Sequence, residues 1–195
     1  MTYFCFGNGN SRKTLDLDKY KQHGTVIGCN AIYRDYNPDI LVALDTGIAH
    51  EIYRSGYVDD LLNAEKGPVS LSPSDLDFVT EAVYHGDENE KGITYITGVL
   101  RPDKVIDIEP GIDEFAYATG TRAIYLACEL GATEVYIIGH DLYSTDDKVN
   151  NIYAGTPQYA SKDAPMKRPD KAEKDDLNHW IKQHKNTFNT FKDTK

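Results

Sequence analysis

The stretch from Thr119 to Tyr143 constrains the fold more than any other part of the chain. Thr119-Gly120-Thr121 opens a run in which Ile124, Ala127, Cys128 and Leu130 recur at helical spacing. Gly131 closes that run, and Glu134-Val135-Tyr136-Ile137-Ile138-Gly139 follows as a short apolar segment ending in His140-Asp141-Leu142-Tyr143. A glycine just past a helix takes the left-handed conformation without a Cβ penalty and so stops it. Helix, tight turn and buried strand in that order form the repeating unit of a parallel sheet covered by crossover helices.

The N-terminal third fits the same architecture. Tyr3-Phe4-Cys5-Phe6, Thr25-Val26-Ile27-Gly28-Cys29 and Asp39-Ile40-Leu41-Val42-Ala43-Leu44 are apolar on both faces, as central parallel strands are, and each stops at glycine, asparagine or aspartate. Leu15, Leu17 and Tyr20 predict a short helix between the first two, and Ile48, Ile52 and Tyr53 one after the third. Ser72-Pro73-Ser74-Asp75 starts a further helix carried by Leu76, Val79, Ala82 and Val83. A polar loop at 85–92 and strands at 93–99 and 104–108 follow. Residues 144–174 lack a period and read as a lid or mobile insertion, and 175–191 as a final helix with Leu177, Trp180, Ile181, His184 and Phe188 near one face. The expectation is one α/β domain over 1–195, a doubly wound, mostly parallel sheet with a C-terminal lid segment and helix.

Composition narrows the function classes. The 195 residues carry a formal charge of −10, which disfavours sequence-independent binding to nucleic acid. No apolar run approaches the roughly 18 residues of a membrane span, and the N-terminus lacks the basic region of a secretory signal. Cys5, Cys29 and Cys128 have neither disulfide-framework nor zinc spacing and read as buried thiols of a cytoplasmic protein. The charge is uneven: residues 1–161 sum to −13 and 162–195 to +3. A basic final segment is either a solvated face or a cover for an anionic ligand, with Lys162, Lys167, Arg168 and Lys185 among its nine cations.

Ligands of open α/β sheets bind beyond the carboxyl ends of the strands. Four such ends carry glycine or short polar side chains here: Gly7-Asn8-Gly9-Asn10-Ser11, Asn30, Asp45-Thr46 and His140-Asp141. The first loop allows backbone N–H groups to approach a phosphate, or is a mere tight turn; it lacks the third glycine of a dinucleotide fingerprint and has no Walker lysine. Thr119-Gly120-Thr121 is either a second phosphate-ready helix start or an ordinary N-cap. No HExxH or clustered His/Cys points to a metal, Asp45 lacks a DxD partner, and no GxSxG elbow points to a serine hydrolase.

These residues resemble the bacterial sialyltransferases of glycosyltransferase family 42. Gly7-Asn8-Gly9-Asn10-Ser11 is similar to that family's GNGPS loop, with Asn10 in place of proline, and Cys29-Asn30-Ala31-Ile32-Tyr33 to its CNxxY element. Thr119 to Tyr125 and Leu130 to Tyr143 resemble its SGxxM and ALGYKEIYLSGIDFY stretches, Asn151-Ile152-Tyr153-Ala154 its lid, and Asn178 to Thr187 its HYxxHSKNT stretch. The core also resembles a wider family that includes flagellin-glycosylation factors and hydroxymethylpterin pyrophosphokinase-like proteins, towards which Asp45 leans.

The resemblance implies a single Rossmann-like domain of GT-A-variant type, a CMP-activated sugar as donor substrate, a glycan or other hydroxyl as acceptor, and no cofactor or metal. Asn8, Gly9, Asn10, Ser11, Asn30, Asp45, Thr119, Gly120, Thr121 and Asp141 would line the donor site. Tyr143 and Tyr153 would hydrogen-bond the leaving phosphate. His184, or alternatively His179 or His140, would deprotonate the acceptor, and an ungapped overlay sets Gln183 at the place of the base. A pyrophosphokinase-like nucleotide enzyme and a non-catalytic nucleotide- or protein-binding descendant are the alternatives, and the reading leaves room for a homo-oligomer.

Overall fold

The computed structural model describes residues 1–43, 46–57, 95–98, 118–142, 144, 146–165 and 176–192. The helix expected from Ser72, the loop at 85–92, the strand at 104–108, Asp45, Tyr143, Lys167 and Arg168 lie outside the described residues. Five strands form one sheet: β1 (Thr2–Phe6), β2 (Thr25–Cys29), β3 (Ile40–Ala43), β4 (Tyr95–Gly98) and β5 (Glu134–Ile138), in the order β4-β3-β2-β1-β5. β1 pairs in parallel with both β2 and β5, β2 pairs in parallel with β3, and β4 runs antiparallel along β3. The helices are α1 (Asp18–Lys21), α2 (Thr46–Arg54), α3 (Thr119–Glu129) and α4 (Asp176–Phe191), with 3-10 turns at Asn10–Arg12 and Asn30–Arg34. This is an α/β fold with a parallel four-stranded centre.

The period of two along each strand sorts the core into two layers. Tyr3 and Cys5 of β1, Ile27 and Cys29 of β2 and Val42 of β3 face Ala123, Ile124, Leu126 and Ala127 of α3. Phe4, Phe6, Val26, Leu41 and Ala43 point the other way, onto Ile48 and Ile52 of α2 and onto Ile32 and Tyr153. Burial on both faces is why these strands are apolar at consecutive positions rather than at alternate ones.

α3 ends as its sequence predicts. Gly131 has φ +79°, the Ala132 N–H bonds the Ala127 carbonyl at 3.0 Å and the Gly131 N–H bonds the Cys128 carbonyl at 3.0 Å. That pair of bonds is a Schellman motif, which satisfies two carbonyls at the helix end. β5 departs from expectation. Its apolar run reads as buried, yet it lies at the sheet edge among the described strands, with Tyr136 49 % and Ile137 38 % exposed. Tyr136 is stabilised from one side by stacking on Phe4, ring centroids 5.1 Å apart.

α4 also differs in what it buries. Phe188, which spacing groups on one face with Trp180, Ile181 and His184, is exposed, whereas Gln183, His184 and Thr187 are buried. The seam is polar because it meets the first turn of α3, whose backbone N–H groups lack intrahelical acceptors. Residues 146–165, expected as a lid or mobile insertion, contain turns and one isolated bridge between Lys148 and Pro165. They are nevertheless tied to the body, with Tyr153 and Ala154 buried.

Phe6 is fully buried in the layer facing α2. Phe6→Ala is expected to cost about 3–5 kcal/mol through lost burial and the cavity left behind, read as a fall in the urea midpoint at unchanged slope.

Candidate functional site

β1 is flanked by β2 on one side and β5 on the other, so the chain winds outward from β1 in one direction and later returns to its opposite edge. In a parallel sheet the loops that leave the two strands at such a reversal diverge and open a crevice. Here the loops are Gly7–Arg12 and Gly139–Asp141, which do not splay apart but stay hydrogen-bonded to each other, the Gly9 N–H to the Gly139 carbonyl. The crevice also meets the start of α3, the turn at Asn30–Arg34, residues 150–160 and α4.

The glycines of these loops make room, but for side chains of the protein. A Cβ at Gly7 would lie 2.7 Å from Cδ2 of His140, and one at Gly120 would lie 2.8 Å from Cε1 of the same ring. The His140 imidazole therefore sits in a slot between the end of β1 and the first turn of α3. Gly9 likewise makes room for the Asp141 side chain, against which its Cβ would collide. Asp141 accepts the Ser11 N–H at 2.9 Å and the Ser11 hydroxyl. The Gly9 N–H bonds the Gly139 carbonyl at 2.7 Å and the Asn10 N–H bonds Asn150 Oδ1 at 2.8 Å. Three consecutive amides that the sequence offers as a phosphate cradle, Gly9 to Ser11, are thus engaged within the protein.

Asn8 is a hub. Its Nδ2 donates to the Cys29 carbonyl at 3.0 Å and to the Tyr159 hydroxyl at 3.4 Å, while its Oδ1 accepts from Arg12 Nη2 at 3.1 Å. Arg12 itself is buried and also donates through Nε to the Gly7 carbonyl at 2.7 Å and through Nη2 to the Tyr153 hydroxyl at 2.9 Å. Tyr153 passes its own proton to a hydrogen bond with Asp35 Oδ1. Burial, then the Asp35 carboxylate, pushes the Tyr153 phenol well above its ordinary value. Its ring lies between two guanidinium groups, with Arg12 Cζ at 5.7 Å and Arg34 Cζ at 5.6 Å from the centroid. Arg34 binds Glu51 of α2 and fastens the segment from the far side, through Thr156 Oγ1 at 2.7 Å and the Pro157 carbonyl at 3.0 Å.

His184 reaches the crevice from α4. Its Nδ1 is 2.8 Å from the Trp180 carbonyl and 3.0 Å from the Thr121 hydroxyl, and its Nε2 is 3.4 Å from Nδ1 of His140. Gln183 Oε1 accepts the Ala118 N–H at 2.7 Å, taking over the capping of α3 that no side chain at its own N-cap supplies. Burial, then the neighbouring His184, lowers the pKa of His140 to about 3, and burial lowers that of His184. Nε2 of His140 is buried and makes no hydrogen bond of good geometry; the Cys5 carbonyl pulls weakly on the ring.

Of the candidate residues, Asn8, Gly9, Asn10, Ser11, Thr119, Gly120, Thr121, His140, Asp141, Tyr153 and His184 come together around the crevice. Asn30 joins them at the end of β2, with φ +50°. Tyr153 and Thr121 are buried, with hydroxyls bonded inside the protein. The backbone of His179 lies in α4. Arg12, Arg34, Asp35 and Tyr159 were not singled out by sequence reasoning. Arg12 had one available signal, a cation directly after the Gly-Asn-Gly-Asn-Ser loop; the others follow from contacts across more than 100 residues. Among the described residues no three His, Cys, Asp or Glu side chains gather to hold a metal ion, and no helix is long and apolar enough to cross a membrane. Comparison with protein-family models, with curated proteins and with solved structures returns no match to this chain.

Two outcomes check the site. Gly120→Ala should lower stability by about 1–3 kcal/mol by overpacking the His140 slot. The same change in a His140→Ala background should be neutral or stabilising by up to about 1 kcal/mol, since alanine is the better helix former; a double-mutant cycle in urea measures the coupling. For pH, His140 stays neutral in the folded protein while the unfolded chain takes up its proton near pH 6.5. Its contribution is therefore complete above 6.5 and is lost progressively as pH falls towards 3. The slope between pH 6.5 and 5 should drop by up to about 1.4 kcal/mol per pH unit in His140→Asn, read from urea midpoints across that range.

Proposed function

We propose that the chain is a glycosyltransferase of Rossmann-like, GT-A-variant type that moves a sugar from a CMP-activated donor to an acceptor hydroxyl without a metal. One observation carries this reading: residues to which the sequence resemblance gives donor and base roles lie along a run of contacts from the carboxyl ends of β1 and β2 to the first turn of α3 and on to α4. Asn8 bonds the carbonyl of Cys29, next to Asn30; the Cys29 thiol approaches the Thr119 carbonyl at 3.8 Å; Thr121 meets His184 at 3.0 Å. The chemistry is a direct displacement. The acceptor oxygen bonds to the anomeric carbon, the bond from that carbon to the CMP phosphate breaks, and His184 takes the hydroxyl proton. CMP leaves, and the anomeric configuration inverts.

The resting geometry adds two requirements. Nε2 of His184 must part from His140 before it can take the proton of an acceptor hydroxyl directly. The Tyr153 hydroxyl is held by Asp35 and Arg12, so the phenol that faces Asn8 and Ala31 from residues 150–160 is Tyr159, whose hydroxyl is 3.4 and 3.3 Å from their N–H groups. Tyr159 takes over in this reading the part that the resemblance gives to Tyr153.

A non-catalytic descendant that binds a nucleotide or a protein partner is the second reading. It is favoured by the loop amides and both His184 nitrogens being engaged inside the protein. A pyrophosphokinase-like enzyme with a metal on Asp141 is disfavoured by the hold of Ser11 on that carboxylate.

Thermal unfolding with and without millimolar CMP tests the proposal. At about 100 times its dissociation constant a ligand adds about 2.7 kcal/mol, which for a chain of this size raises Tm by about 5–10 °C. Tyr159→Phe should then reduce CMP release from a CMP-sugar more than it reduces CMP binding. Absence of any shift with CMP, CDP or CTP overturns the proposal, and stabilisation by ATP that EDTA abolishes replaces it with the pyrophosphokinase reading.

A further inference from the structure

The two histidines of the crevice fix each other's chemistry. A carbonyl oxygen only accepts, so the 2.8 Å contact from His184 to the Trp180 carbonyl puts a proton on His184 Nδ1. The basic nitrogen of that neutral ring is then Nε2, which faces Nδ1 of His140 across 3.4 Å. For that contact to be a hydrogen bond, His140 must donate, which puts its proton on Nδ1 and a bare lone pair on its buried Nε2. Gly7 and Gly120 wall the ring on two sides, with no room for even a Cβ between either of them and the imidazole.

We infer that His140 is a positioning residue for His184, holding that ring with Nδ1 protonated and Nε2 basic, and that the two imidazoles take up one proton between them. The consequence for the reaction rests on the glycosyltransferase reading; the coupling of the rings does not. When a proton arrives, an N–H bond forms at His140 Nε2, the His140 Nδ1–H bond breaks, and an N–H bond forms at His184 Nε2. The cation comes to rest on His184, still held by the Trp180 carbonyl, and the Cys5 backbone beside the His140 ring favours the protonated form. A second proton would place two cations side by side in a buried slot.

The groups around the pair are few among the described residues. β1 contributes Cys5, whose thiol burial keeps protonated. α3 contributes Thr121, and α4 contributes Gln183, the Trp180 carbonyl and Phe188, whose ring is 6.4 Å from that of His184. The β5 loop contributes Asp141, the carboxylate that favours a cation on His140. Asp141 is already bonded to Ser11.

Nitrogen-15 spectra of the histidine rings, recorded without ligand from pH 8 to 4.5, test the inference. The wild type should show His184 protonated at Nδ1 at pH 8, and a single proton should enter the pair as pH falls. His140→Asn, which retains a donor, should keep that tautomer; His140→Leu should shift the His184 Nε2 signal and mix the tautomers. An Nε2-protonated His184 at pH 8, two protons entering a still-folded pair, or identical His184 signals in all three proteins overturns the inference. If the leucine variant does not fold, His184→Asn replaces it, and an unchanged His140 spectrum there is equally fatal. In turnover assays with a CMP-sugar, His140→Leu should lower kcat about 10-fold with KM within about twofold, and His140→Asn should recover most of it. A protein that does not bind CMP counts against the glycosyltransferase reading alone, because the ring spectra need no ligand.

Discussion

The backbone pairing of β1 with β5 continues past the ends of both strands, and the crevice depends on that continuation. The Gly7 N–H bonds the Ile138 carbonyl at 2.8 Å and the Gly9 N–H bonds the Gly139 carbonyl at 2.7 Å. Two loops that would otherwise splay apart are therefore held edge to edge for three further residues. That close approach is possible only without side chains at the contact, and Gly139 additionally takes φ +69° to redirect the chain. Once the loops are fixed, His140 is delivered to the slot beside α3, Asp141 to Ser11, and Arg12 to the carbonyl of Gly7. From Arg12 the connections run on through Asn8 to β2 and through Tyr153 to residues 150–160.

This dependence explains why the site is polar yet nearly closed. Placing a buried guanidinium and a buried imidazole beside a half-buried carboxylate and a half-buried imidazole is tolerable where most of their polar atoms find partners. Arg12 has three, Asp141 has Ser11 twice, and Tyr153 joins Arg12 to Asp35. A ligand entering this crevice must therefore exchange hydrogen bonds rather than satisfy idle groups. The longest of the Asn8 contacts, to Tyr159, and the contact between the histidine rings are the weakest of these bonds by length and the ones an incoming oxygen or hydroxyl displaces most readily.

Much of the frame was legible in the sequence. Strands buried on both faces betray themselves by consecutive apolar residues, as Phe4-Cys5-Phe6 and Leu41-Val42-Ala43 do, and Gly131 marked the end of α3 because a left-handed position admits few alternatives. The edge position of β5 was not legible, since Val135-Tyr136-Ile137-Ile138 has the pattern of a central strand and an edge is a property of topology. Gly7, Gly9 and Gly120 announced close approach, but a missing Cβ does not say what comes close, and the side chains of His140 and Asp141 are what the protein places there. The 146–165 segment has no period, so its anchoring by Arg12 and Arg34 was invisible. Those bonds join residues 122 to 141 positions apart.

The polar seam of α4 carries the final step of this reasoning. A helix docked by an apolar stripe gains from area alone and is indifferent to proton uptake, whereas one docked through Gln183, His184 and Thr187 gains about 1 kcal/mol per hydrogen bond and depends on which nitrogen carries a proton. The imidazole of His184 is at once an anchor of α4 and a group at the crevice whose Nε2 can accept a proton. Changing its protonation therefore changes how firmly the helix is held, and moving the helix changes what the ring can reach. A chain that bound His184 by apolar packing alone would keep the helix in place at every pH but would leave its ring free to adopt either tautomer. The Trp180 carbonyl and the contact with His140 in its glycine slot together remove that freedom, at the point where the loops of β1 and β5 have already been locked together.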